Sequence, residues 1–363
     1  MNSSTSNRPK GIVNSGMKIF HFPEKLRSLP RERGELLPPI HVRIKPTNIC
    51  NHDCWFCAYR QEDFQLGETM VERDQIPFDK MMEIVDDLVE MKVEAVTFSG
   101  GGEPLVYPYL LQTVERLAEH GIRFATLTNG ARLAGRIAEA FSRNGTWVRV
   151  SIDSWDGPSY AKARRVKETE FGKVIANMEA FQKLGGPCAL SAVVVVDREN
   201  AAHLAELVRL LTDIGVDSIK LSPVIVSNDA ETTNRYHAGI EPLVREQIAL
   251  VHGYTQGRTE FSNAYHAQLH SFEKGYHWCP LLQIRPVIGA DLSVYSCQDK
   301  AYNPRGLLFS IKEQRFREAW LNEKEAFFKI DPAQHCNHHC VAHASNEAIL
   351  EFLCTDPDHL PFV

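Results

Sequence analysis

What this chain of 363 residues lacks narrows it first. A membrane-spanning helix needs about 20 apolar residues in a row, and the longest apolar runs here, such as 189–196, fall far short. No amino-terminal stretch combines a basic start, an apolar core and a cleavage site. Residues 1–8 are polar, rich in Ser and Asn, and read as disordered. Positive charge is not in excess: 40 Lys and Arg against 46 Asp and Glu leave −6, so nothing points to nucleic acid. There is no internal repeat and no low-complexity tract. These absences leave an ordinary cytoplasmic protein, long enough for one large α/β domain and a smaller one.

Cysteine is not scarce. Nine are present, an odd number, clustered, on a chain with no secretion signal, which favours metal ligation over disulfides. Cys50, Cys54 and Cys57 form a C-x3-C-x2-C triplet, five more lie within 279–354, and Cys188 stands alone. Thiolates converging from one short loop suit an iron–sulfur cluster. A four-iron cluster takes four cysteines, so three leave one iron for another ligand. On these residues alone, a zinc loop completed by His52 is the alternative.

From residue 41 strands and helices alternate. Strands are expected over 41–45, 94–98, 123–127, 147–152, 189–196 and 218–221. Helices are expected over 77–93, 109–120, 133–143, 170–184, 201–214 and 241–254. Over 77–93, Met81, Ile84, Val85 and Leu88 share one face. Such alternation implies a parallel sheet covered by helices, open or closed. Along the strands, Val42 and Ile44 oppose Arg43 and Lys45, Val148 and Val150 oppose Arg149 and Ser151, and Ile219 and Leu221 oppose Lys220 and Ser222. Apolar faces against helices would leave a polar lumen, unless some of these strands are exposed edges. Residues 1–39 hold one short helix over 23–29 among prolines and read as an arm. Cys188 precedes an apolar strand and reads as a buried small residue.

The cysteine triplet, with Phe56 before its third member, resembles the signature of the radical S-adenosylmethionine (SAM) superfamily. The resemblance implies a partial (β/α)6 barrel over 40–255, with function at the carboxyl ends of the strands. It implies a [4Fe–4S] cluster whose open iron chelates SAM, and reductive cleavage of SAM to a 5′-deoxyadenosyl radical that abstracts a substrate hydrogen. Gly101-Gly102-Glu103-Pro104 ends the second strand and matches the family motif in which the carboxylate holds the SAM amino group. Ser151-Ile152-Asp153 resembles the segment that binds the SAM ribose or carboxylate, with Ser154 in place of the usual glycine. Arg164 or Arg165 stands where relatives carry an arginine near the SAM carboxylate, and Phe56 would touch the adenine. Asn129 is a candidate lumen residue that also reads as a turn residue.

The later cysteines resemble the auxiliary-cluster domains of this superfamily, called SPASM with two clusters and twitch with one. Residues 307–320 resemble a stretch common there. Two clusters need about seven or eight cysteines; five are present, so one auxiliary [4Fe–4S] cluster is expected over 256–363. Its implied ligands are Cys279, Cys297, Cys336 and Cys340. Leu292 replaces a usual glycine, and Cys354, His338 or His339 are alternatives for one ligand; a zinc site is the other reading.

The expected function is hydrogen abstraction from a small polar substrate, a carbohydrate or nucleotide-linked metabolite, leading to oxidation or rearrangement. A flavodoxin or ferredoxin-type donor would supply electrons. Peptide maturation, for which the arm leaves no room for a leader-binding module, is the alternative. Epimerisation, with Cys188 or Cys354 as hydrogen donor, and a non-enzymatic electron carrier are the others.

Overall fold

The computed structural model describes residues 15–29, 36–61, 64, 66–270 and 272–362. The stretch 1–8, expected to be disordered, lies outside them. Seven strands run parallel and pair in chain order: β1 (His41–Ile44), β2 (Ala95–Phe98), β3 (Arg123–Thr128), β4 (Trp147–Ser151), β5 (Ala189–Val196), β6 (Ser218–Pro223) and β7 (Glu260–Asn263). Parallel neighbours need crossovers, and helices supply them. After α1 (Pro23–Ser28) in the arm come α2 (Phe78–Glu90), α3 (Leu110–Glu119), α4 (Gly135–Asn144), α5 (Gly157–Arg164), α6 (Thr169–Lys183), α7 (Leu204–Ile214), α8 (Ala230–Ala238) and α9 (Glu241–Thr255). The fold is α/β, a partial barrel followed by a cysteine-rich region.

The expected amphipathic faces are the ones buried. Met81, Ile84, Val85 and Leu88 of α2 are fully buried in one core with Val42, Ile44, Val148, Val150, Ile219 and Leu221. Burying each such side chain stabilises by roughly 1.5–3 kcal/mol. The opposite strand faces, carrying Arg43, Arg149, Ser151, Lys220 and Ser222, remain half-buried. Strands β1, β4 and β6 each have a partner on both sides, so these polar faces are not edges. They line the lumen. α5 and α8 are absent from the periodicity because neither has an apolar stripe; α5 buries Tyr160 and Arg164, and α8 buries Thr233 and His237.

Two features differ from the expected layout. β7 lies beyond residue 255 but pairs with β6, as a seventh parallel strand. β8 (Val287–Ile288), β9 (Ser293–Tyr295) and β10 (Leu307–Ser310) continue the same sheet from the free edge of β1, with Arg43 opposite Val287. Leu282, Ile288, Val294, Leu308, Phe316, Trp320 and Phe327 share the barrel's core. The cysteine-rich region is thus joined to the barrel by backbone pairing and by packing. Leu292, in the β8–β9 turn, has φ +61°. The chain keeps a left-handed turn there with a leucine, where glycine would carry no strain.

Candidate active site

The cysteine loop leaves β1 and is held from two sides. On one side Gly102 N donates to Thr47 O (3.0 Å) and Glu103 N to Ile49 O (2.9 Å). On the other, Asp53 N donates to Arg164 O (3.0 Å) and Trp55 N to Ala163 O (3.2 Å), so the end of α5 straps the loop down. The two glycines serve this approach. A Cβ on Gly101 would stand 2.2 Å from Asn48 Oδ1, and one on Gly102 2.1 Å from Ile49 O. Both glycines face the chain's own loop.

Glu103 is buried. Its Oε1 accepts from Leu105 N (2.9 Å) and Thr128 Oγ1 (2.6 Å), and its Oε2 from Asn129 N (2.7 Å). Burial raises its pKa, and these donors oppose that rise. A carboxylate has about four lone-pair sites, so three donors leave one acceptor direction, on Oε2. Asn129 also donates from Nδ2 to Asn51 Oδ1 (2.8 Å), which ties the end of β3 to the cysteine loop.

Arg164 is buried, and Arg165 is exposed. Arg164 pairs with Asp153, donates to Ser151 Oγ (3.1 Å), stands 3.5 Å from Cys54 Sγ and lies over the Phe56 ring, 5.1 Å from its centroid. Burial alone would lower its pKa, but Asp153, then Cys54 and Tyr160, hold it above its ordinary value. Arg165 instead pairs with Asp53 Oδ2 at the surface (3.1 Å). Asp153, read as a SAM contact, pairs with Arg164 and accepts from Val195 N (2.7 Å). Ser154 beside it is buried.

Lys45 carries no sequence signal beyond strand alternation. It is wholly buried, donates to Tyr59 OH and Gly100 O, and so bridges the cysteine loop to the glycine loop. Burial first, then Arg43, pushes its pKa well down, while Asp299, Cys297 and Cys57 oppose. One side chain therefore lies within electrostatic reach of both cysteine sets.

All nine cysteines are free thiols. Burial raises Cys50 to about 11 and also raises Cys57, so metal binding must displace their protons. In the second set, Cys279, Cys297, Cys336 and Cys340 line one void together with His338, Lys274, Lys300 and Asn346. Asn346 Nδ2 donates to Cys279 Sγ (3.2 Å). Burial pushes Cys279 up to about 11 and Cys297 to about 12. Cys354 is exposed near the end of a helix over His343–Cys354 and lines no part of that void. Cys188 is buried at the amino end of β5, opposite the site, and burial raises it to about 12.

Among the described residues, no three His, Cys, Asp or Glu groups converge as a site for a single metal ion. His52 turns edge-on to Tyr160 (centroids 5.8 Å apart). A four-iron core stands between its thiolates and separates them more widely than one zinc ion does. Both thiol sets are free of disulfides and so open to metal ligation. In the first set, Arg164 beside Cys54 fits an anionic cluster with a carboxylate ligand. No helix among the described residues is long and apolar enough to cross a membrane.

The GTP 3′,8-cyclase of Rhizobium leguminosarum bv. trifolii is 26% identical over 54% of this chain and 55% of its own length, so the chain spans about half of that relative. The tungsten-containing aldehyde ferredoxin oxidoreductase cofactor-modifying protein of Pyrococcus furiosus is 22% identical over 80% of this chain and 83% of its own. Among solved structures, Streptococcus suis SuiB bound to the precursor peptide SuiA shares the fold: TM-score 0.60, 15% identity, 89% of this chain and 73% of that one. Residues 44–211 match the radical SAM superfamily. That span starts in β1 and ends in α7, taking in the cysteine loop, Glu103, Asn129, Asp153 and Arg164, and this stretch of the chain is a radical SAM domain.

Proposed function

We propose that the chain is an enzyme acting on a small polar substrate, a carbohydrate or a nucleotide-linked metabolite, held in the lumen between two clusters. Cys50, Cys54 and Cys57 would hold the SAM-binding [4Fe–4S] cluster. Cys279, Cys297, Cys336 and Cys340 would hold an auxiliary one. When bound, the first cluster and SAM supply the hydrogen abstraction of this superfamily. The observation that carries the reading is the docking of the region that holds the second thiol set on the barrel, where β8 pairs with β1, the strand that leads into the first set.

The protein's own groups bind and orient. Glu103 offers its one open acceptor direction to the SAM ammonium. Arg164, fixed by Asp153 and Ser151, presents its charge beside Cys54 to the SAM carboxylate; Asp153 positions Arg164 rather than reaching the ribose. Phe56 is the remaining apolar wall for the adenine. The cyclase relative, named for a nucleotide substrate, supports the nucleotide-linked class. An external one-electron donor of flavodoxin or ferredoxin type supplies reductant. Cys188 lies at the wrong end of β5 to give a hydrogen atom, which favours oxidation or rearrangement over epimerisation.

Anaerobic reconstitution tests this. The chain should take up about eight irons, and the Cys50/Cys54/Cys57→Ala variant about four. With dithionite and SAM, wild type should form 5′-deoxyadenosine and the variant none. A wild-type protein that binds both clusters yet never cleaves SAM is a carrier, and the proposal fails.

A further inference from the structure

Three cations project into the lumen from the middle of three non-adjacent strands: Arg43 from β1, Arg149 from β4 and Lys220 from β6. Their chain neighbours Val42, Ile44, Val148, Val150, Ile219 and Leu221 are buried on the opposite, helix-covered face. All three cations are half-buried, so each keeps part of its surface open to solvent. They stand close enough to act on one another. Burial, then Arg149 and Arg43, lowers Lys220, while burial and Arg285, with a smaller part from Arg149, bring Arg43 to about 10. The acids that face them are Glu260 on β7, which opposes Arg149, and Asp299, which opposes Arg43.

Other buried cations of this protein have partners. Arg164 has Asp153, Lys25 has the carbonyls of Leu37 and Pro38, Lys45 has Tyr59 and Gly100, and Lys274 has the carbonyls of Phe272 and His338. Arg149, too, has an interaction of its own. Arg43 Nε is buried with no hydrogen-bond partner, and the Lys220 ammonium makes no hydrogen bond or ion pair among the described residues. Two like charges, Arg43 and Lys220, that lack such hydrogen bonds in a partly desolvated space cost stability. A ligand with anionic oxygens repays that cost. A guanidinium fork receives such oxygens two at a time, and an ammonium adds a point charge.

Resting on the proposed small-substrate reading, we propose that Arg43 and Lys220, with Arg149 beside them, form an anion subsite in the lumen for a phosphate or carboxylate group of the substrate. The subsite lies below the strand ends that carry the cysteine loop. It would hold the charged end of the substrate deep in the barrel and leave the reacting carbon toward Glu103 and Arg164. Lys220 also acts on His339, beside Cys340, so the subsite borders the second thiol set as well.

The test uses the full chain with both clusters reconstituted, freed of loose iron, and inorganic pyrophosphate as the probe, with succinate as a carboxylate arm. Calorimetric titration should show one saturable site for pyrophosphate, for succinate, or for both. The arm that binds identifies the group. Arg43→Gln and Lys220→Gln should each weaken that binding at least tenfold, and Lys183→Gln, at the exposed end of α6, should leave it unchanged. A saturating probe should raise the melting temperature of wild type and not of the two lumen variants, which separates a lost site from a damaged fold. No saturable binding of either probe by wild type, or binding unchanged in both lumen variants, overturns the proposal. Formation of 5′-deoxyadenosine by wild type without substrate is measured alongside. Its absence with probe binding intact defeats the radical-enzyme reading and leaves the anion subsite standing.

Discussion

A Cβ on Gly102 would stand 2.1 Å from the Ile49 carbonyl oxygen, backbone that anchors the first cysteine. Gly102→Ala must therefore move the cysteine loop, not a pliable side chain. Reconstituted iron is expected to fall by about half, to about four per chain, with the second thiol set keeping its share; full iron loading would show that the loop can yield. The same scale separates Arg164 from Arg165. Adjacent in sequence, one is buried on Asp153 and Cys54 and the other is exposed on Asp53. Burial divides the pair because α5 ends between them: Arg164 is its last residue, and Arg165 takes a left-handed φ of 51° as the cap. Glu103 was legible from its motif, whereas Lys45 was not. A lysine in a short strand looks the same whether it meets water or bridges two loops.

At the scale of elements, α5 does more for the site than its sequence announces. It starts on a capping box in which Asp156 Oδ1 accepts from Ser159 N (2.8 Å) and Ser159 Oγ accepts from Asp156 N (3.2 Å). Two carbonyls of its last turn accept from backbone N–H groups of the cysteine loop. Asp156→Ala should cost about 1 kcal/mol, seen as a lower melting temperature, with faster loss of iron from the first thiol set than from the second under a chelator. Equal rates of loss from both sets would mean that α5 does not hold the loop. Periodicity finds α2, α3 and α7 because each turns an apolar stripe to the sheet. It passes over α5 because that helix buries a tyrosine and a charged arginine instead.

Across the whole molecule the described residues form one sheet of ten strands, with β7 at one edge and β10 at the other. Removing 256–363 would strip β8 from β1 and β7 from β6 and take Phe316, Trp320 and Phe327 from the shared core. Each large core side chain is worth about 3–5 kcal/mol when truncated, so the loss exceeds the stability of an ordinary domain of about 5–15 kcal/mol. A chain ending at 255 is expected to lack a cooperative melting transition and near-ultraviolet dichroism. A soluble fragment that melts cooperatively would show that the barrel stands alone.

The sequence by itself determined the class of chemistry and the α/β order. Cysteine spacing, Gly-Gly-Glu-Pro at a strand end and the apolar faces of α2 and the strands are local patterns, and local patterns survive in one dimension. Only the tertiary structure decided which of two arginines meets Cys54, that Asp153 pairs with Arg164, that Cys340 lines the second void while Cys354 does not, and that β8 docks on β1. It also decided that Arg43, Arg149 and Lys220 lie on the same face of one sheet. Each of these depends on residues brought together from strands and loops far apart in the chain, where distance and desolvation, not neighbouring residues, set what a charge can do.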